Sequence, residues 1–226
     1  MTKPKKAIKL IKIESIRYAI ELEAELPSSQ DADKLIERGR TLNGWELKRD
    51  SSLENGIELS PLNSNKLYWN DESLLQIKEV LALLRVHRAK INHERCGLHI
   101  HYNIRNLEDK EILNIIKEFI HKQRYIAKRF NVHPKRLEYT CKLLPRGELH
   151  KLTEKDIHKA RNNERSRFYN YSYLDEKHYS LNVNHISKED YGSIEFRLFN
   201  GTLNFREIKE AIYFGLTFIK EAIERE

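Results

Sequence analysis

Gly97-Leu98-His99-Ile100-His101 sets two imidazoles at alternate positions between apolar neighbours, and two other stretches repeat the design: Ile20-Glu21-Leu22-Glu23 and Ile194-Glu195-Phe196-Arg197-Leu198. Successive side chains of a β-strand point to opposite faces. Each stretch therefore buries one face and offers imidazoles, carboxylates or a guanidinium on the other. A sheet built from all three would gather groups suited to divalent metal and phosphate on one surface.

Outward from these strands, the chain reads as strands and helices in groups. A strand over about Ile16–Leu26 stops at Pro27, and Ser28-Ser29-Gln30-Asp31 opens a short helix that ends near Asn43-Gly44. Trp45–Arg49 and Gly56–Leu59 read as strands on either side of a turn at Asp50-Ser51-Ser52. Asn70 is a good N-cap for a long helix reaching about Ile91, with Leu74, Ile77, Leu81, Leu84 and Arg88 on one face. A strand over Cys96–Ile104 follows, then a second long helix over Glu108–Phe130 striped by Ile112, Ile115, Ile116, Phe119, Ile120 and Ile126. Further on come a strand over Leu137–Lys142, a short helix from Thr153, and strands over Tyr179–Ile186 and Ser193–Phe199. The last helix starts after Asn204 and carries Ile208, Ile212, Leu216, Ile219 and Ile223. Short connections between strands, without strict alternation of strand and helix, predict an α+β fold: an antiparallel sheet with helices against one face and the other free for chemistry. A length of 226 residues suits one sizeable core. One domain over residues 1–226 is expected, with 1–15 as an N-terminal basic segment.

Charged residues are 33% and hydrophobic ones 39%, with 8 Gly and 5 Pro, which describes an element-rich globular chain. No apolar run approaches the roughly 20 residues that cross a bilayer. Lys9 and Lys12 interrupt Ala7–Ile13, a poor core for a signal peptide, so a cytoplasmic location is expected. Two cysteines give no disulfide framework. The net charge of +7, from 41 Lys and Arg against 34 Asp and Glu, favours anionic partners: nucleic acid is one candidate and nucleotide phosphate another. The nearest thing to a basic cluster is Arg161–Arg167, with Phe168, Tyr169, Tyr171 and Tyr173 just beyond. It reads equally as a nucleic-acid track or as a strand edge beside a solvated loop.

The single motifs each have a plain reading too. Glu21, Glu23 and Glu25 alone suit the wet face of a strand, although same-face carboxylates repel unless a cation intervenes. His99 and His101 suit metal ligation, stacking on a base, or a solvent-facing pair. Cys96-x-x-His99-x-His101 with Cys141 could suggest zinc, but alternation turns Cys96 away from the histidines unless a bulge at Gly97 reverses it. Glu195 and Arg197 make either a simple ion pair or a phosphate clamp beside a metal ligand. Glu58, between Ile57 and Leu59, adds another carboxylate to the polar face. Glu, His and Arg together suit a hard cation such as Mg²⁺ beside phosphates.

The order of these pieces resembles the amidoligase family, relatives of glutamine synthetase and of the glutamate-cysteine ligases. The resemblance is carried by Tyr18-Ala19-Ile20-Glu21-Leu22-Glu23, Trp45-x4-Asp50-Ser51-Ser52-Leu53, Gly56-Ile57-Glu58-Leu59-x-Pro61, Cys96-Gly97-Leu98-His99-Ile100-His101, Tyr179-Ser180-Leu181-Asn182 and Ile194-Glu195-Phe196-Arg197-Leu198-Phe199-x-Gly201-Thr202-Leu203. It implies a glutamine-synthetase-like catalytic fold, with a curved antiparallel sheet, helices on its convex side and the site on its concave side. It also implies an ATP-dependent carboxylate-amine ligase that makes an amide or isopeptide bond through an acyl phosphate, with ATP and Mg²⁺ (or Mn²⁺) as cofactors. The implied substrates are an amino acid or peptide carboxylate and an amine acceptor, without a membrane partner. The pocket for the acceptor could draw on a second subunit. Carried over by position, Glu21, Glu23, Glu58, His99 and Glu195 are metal ligands, His101 contacts the nucleotide, and Arg197 clamps phosphate with Glu195 beside it. Asp50 binds substrate, and Arg165, Arg167 and Asn182 contact substrate or phosphate. One departure is Ser51, where the family usually has Gly in the Asp-Gly-Ser-Leu turn. The competing expectations are a two-metal nuclease or phosphodiesterase using Glu21, Glu23, Glu195 and His99, and a basic nucleic-acid-binding module with a solvated carboxylate face. Nucleic acid is a partner only under these.

Overall fold

The alternating stretches become neighbouring strands. A computed structural model describes residues 12–39, 44–62, 67–145, 147, 151–162, 178–187 and 192–224. Its strands are β1 (Tyr18–Glu25), β2 (Trp45–Asp50), β3 (Gly56–Pro61), β4 (Gly97–Asn103), β5 (Leu181–Asn182) and β6 (Ser193–Asn200), and its helices α1 (Ser29–Gly39), α2 (Asp71–Val86), α3 (Asp109–Arg129), α4 (Pro134–Tyr139), α5 (Glu154–Arg161) and α6 (Phe205–Glu224). The six strands form an antiparallel sheet in the order β2-β3-β1-β4-β6-β5. The α+β class expected from the sequence is what the chain adopts.

Register decides which side chains share a face. Glu23 stands opposite Glu58, Glu21 opposite His99, and Lys48 opposite Glu58. His101 stands opposite Glu195, which in turn faces Asn182. The other face holds Ile20, Leu22, Leu98, Ile100, Tyr102 and Phe196, all buried. α3 and α6 pack on one another and against β6 and β4 respectively. Phe196 lies edge-on to Phe119 at 4.7 Å and to Phe218 at 5.7 Å between ring centroids, so an aromatic cluster joins sheet to helices. Tyr102 reaches deeper still: its hydroxyl donates to the Ile212 carbonyl of α6 at 3.3 Å. That approach requires Gly215, because a Cβ there would stand 1.9 Å from the Tyr102 oxygen.

Several ends differ from expectation. α2 is capped by Asn70, whose side chain accepts from the Ser73 N–H, but it stops at Val86. Arg88 follows with φ 57°, exposed, and not on the apolar stripe. Leu137–Lys142 is not a strand: Pro134 fixes the φ of a first helical turn and the chain runs on as α4 to Tyr139. β5 keeps only two residues of the expected Tyr179–Ile186 strand, because the Asn182 side chain accepts the Asn184 N–H and turns the chain. The helix from Thr153 forms with a capping box between Thr153 and Asp156. No helix among the described residues is long and apolar enough to cross a membrane.

Candidate active site

On β1, β4 and β6 the period-2 pattern brings the polar residues together away from the helices. His101 Nε2 lies 3.0 Å from Glu21 Oε1 and 4.0 Å from Glu195 Oε1, while His99 Nδ1 lies 3.4 Å from Glu21 Oε2 and 3.5 Å from Glu195 Oε1. His99 Nε2 faces Glu23 Oε1 at 3.7 Å. Arg197 Nη1 donates to Glu195 Oε1, and Asn182 Nδ2 donates to Glu195 Oε2 at 2.6 Å. This surface is not the wet face that an amphipathic strand suggests: Glu195 is 2% exposed, His99 3% and His101 7%.

Burying that many carboxylates is costly unless each finds a cation. Burial favours the neutral form of Glu21, but hydrogen bonds from His101 and His99 outweigh it and hold the carboxyl far below its usual range. Glu195 is likewise held low, with His101, Arg197 and His99 overcoming its burial. Burial would lower His101, yet Glu195 and Glu21 raise it. At Glu58 the pull of the His99 imidazole is the lesser effect: burial, with the charge of Glu21, pushes it up to about 7. The cluster therefore carries more carboxylate than its own cations balance at Glu58.

That imbalance fits a divalent cation. Among the described residues, donor atoms of Glu21, His101 and Glu195 all lie within 4.8 Å of one another. Two carboxylates and an imidazole match an oxygen-rich site for Mg²⁺ or Mn²⁺. His101, which the resemblance gives to the nucleotide, lies inside this donor group. Glu23 sits beside it, with Oε2 accepting the Gly97 N–H at 2.6 Å. Neither Cys96 nor Cys141 joins the group, and both are buried, so the zinc arrangement does not form among the described residues. Burial pushes the Cys96 thiol up to about 12.

Beside the donor group opens a cavity of about 460 Å³, lined in part by Glu21, His101, Glu46, Lys48, Ser60 and His185. Glu46 and Lys48 share the site face of β2, with Lys48 Nζ 3.0 Å from Glu46 Oε2. The period-2 pattern Trp45-Glu46-Leu47-Lys48 was available to find them. His185 carried no such signal, since it lies in the turn after β5.

Asp50 stays at the other end of β2, where its Oδ1 accepts the Ser52 N–H and closes the turn, and it does not line the cavity. Arg165 and Arg167 lie outside the described residues, as do Phe168, Tyr169, Tyr171 and Tyr173. Arg161, the first member of that basic cluster, is buried and donates to Asp109 Oδ1 at 2.7 Å and to the Leu107 carbonyl at 2.8 Å. It is spent on fastening α5 to the start of α3 and offers nothing to a nucleic-acid strand.

No curated protein matches the chain. A family model described as "Putative amidoligase enzyme" matches residues 12–219, from ahead of β1 to the last turns of α6. The strands that bring Glu21, Glu58, His99 and Glu195 to one face all fall within that match, and the chain belongs to the amidoligase family.

Proposed function

We propose that the protein is an ATP-dependent carboxylate-amine ligase of glutamine-synthetase-like architecture, which joins an amino acid or peptide carboxylate to an amine through an acyl phosphate. The observation that carries this reading is the meeting of Glu21, His101 and Glu195 donor atoms within 4.8 Å, with Arg197 bonded to the same Glu195. Phosphoryl transfer needs positioning and charge neutralisation more than it needs a protein nucleophile, and this cluster offers those two things.

When bound, Mg²⁺ or Mn²⁺ would supply charge neutralisation on phosphoryl oxygens. Glu21, His101 and Glu195 would hold it, with His99, Glu23 and Glu58 close by. The remaining work falls to the chain. Arg197 keeps Glu195 in place and presents a guanidinium to phosphate. Asn182, through its bond to Glu195 Oε2, fixes the carboxylate from the opposite side. The burial of His99, His101 and Glu195 keeps water from between these groups and so strengthens their hold on charge. The cavity along β2 and β3 receives a substrate: its lining sets Glu21 and Glu46 against Lys48, which suits an amine better than a polyphosphate.

Glu195→Gln and Arg197→Ala test the assignment. Each is expected to lower ATP turnover by about 10²–10³-fold, the size of effect seen when one charge-stabilising donor is lost, while circular dichroism stays that of the folded protein. Turnover near wild type in both variants would remove this row from the chemistry.

A further inference from the structure

Arg136 is the largest side chain that the described protein buries completely. It belongs to α4, outside the sheet, yet its guanidinium reaches β4 and β6 on the side of His99. Nη1 donates to the Arg95 carbonyl at 2.9 Å and Nη2 to the Arg197 carbonyl at 3.3 Å. A Cβ on Gly97 would stand 2.6 Å from Arg136 Nη2 and 2.6 Å from His99 Nε2. Glycine at that point is what lets the guanidinium and the imidazole share one space.

The strand pairing explains why a cation is worth burying there. Between Leu98 and Ile100 the β4–β6 register shifts, because Leu98 pairs with Phe199 but Ile100 with Phe196. Arg197 and Leu198 together oppose His99: β6 carries a bulge at the residue that grips Glu195. A bulge takes a backbone group out of the ladder, and a buried carbonyl left without a donor is costly. Arg136 gives that carbonyl a donor and ties it to the chain just ahead of β4. A planar guanidinium can reach both carbonyls at once, whereas a lysine ammonium on its single stem is a point charge.

We infer that Arg136 is a positioning residue: it fixes the β6 bulge, and through the bulge it sets where the Arg197 guanidinium stands. The inference rests on the ligase reading only for what Arg197 holds. The test compares Arg136→Lys, Arg197→Ala and the double variant by calorimetric titration with Mg²⁺ and ADP. It also follows the Arg197 Nε–H resonance, since that group is buried and makes no hydrogen bond among the described residues. Arg136→Lys is expected to weaken ADP binding by about 10- to 100-fold, as loss of an outer supporting partner does, and to shift the Arg197 resonance. The double variant should bind ADP no more weakly than Arg197→Ala alone, because one route carries both effects. Unchanged ADP affinity in Arg136→Lys, or losses that add in the double variant, would overturn the inference. Should Arg136→Lys not fold, Gly97→Ala presses on the same guanidinium while keeping its charge. A shifted Arg197 resonance there supports the inference and an unshifted one overturns it. Unchanged ADP affinity in Arg197→Ala would instead sink the ligase reading, and the resonance alone would then decide the role of Arg136.

Discussion

Glu58 shows what a residue can reveal that its place in the sequence cannot. Alternation put it on the polar face, and the register with Glu23 and Lys48 keeps it there. What alternation could not show is burial: on that face Glu58 rises to about 7, because burial and the neighbouring Glu21 disfavour its charge. A glutamate in the unfolded chain loses its proton near 4.5. Between those values the folded protein keeps a proton that the unfolded chain has released, so metal-free stability falls as pH rises through this window. Glu58→Gln removes that loss. In chelator its melting temperature should match wild type near pH ~4 and exceed it near pH ~8. Added Mg²⁺ should stabilise the variant less than wild type, since one carboxylate toward the cation is gone. Equal melting curves at both pH values would show that Glu58 titrates as an ordinary surface glutamate.

Elements were legible where a long period ran uninterrupted. The apolar stripes of α3 and α6 and the cap at Asn70 announce their helices, and the folded chain follows them. Short elements were not, since six residues of α4 hold too few turns for a period to show, and its Leu137 and Tyr139 suit a strand as well. The same limit hid Arg136, whose role depends on a bulge in a distant strand. Packing between elements is likewise invisible in one sequence. Gly215 looks like a weak spot in α6, but it is the point where α6 admits the Tyr102 ring. Gly215→Ala should therefore destabilise the protein by about 1–3 kcal/mol despite its better helix propensity. A chain of this size loses roughly 2–4 °C of melting temperature per kcal/mol. A melting temperature at or above wild type would mean that α6 can shift away from β4 without cost.

For the whole molecule, the order of motifs along the chain named the family, and the match over residues 12–219 agrees with it. Composition pointed less far. A charge of +7 suits nucleic acid and nucleotide alike; what favours the proposed nucleotide chemistry is that, among the described residues, the polar groups converge on a buried cluster beside a cavity while Arg161 is turned inward. Substrate identity stays out of reach of the sequence because Glu46 and Lys48 of β2 meet His185, from the turn after β5, at one cavity. The measurement closest to the central claim is product analysis of the purified protein with ATP, Mg²⁺ and a mixed pool of amino acids and peptides, read by mass spectrometry. The account predicts ADP, phosphate and an amide whose formation stops when Mg²⁺, the carboxylate or the amine is withheld. Cleavage of nucleic acid with no turnover of ATP would contradict it.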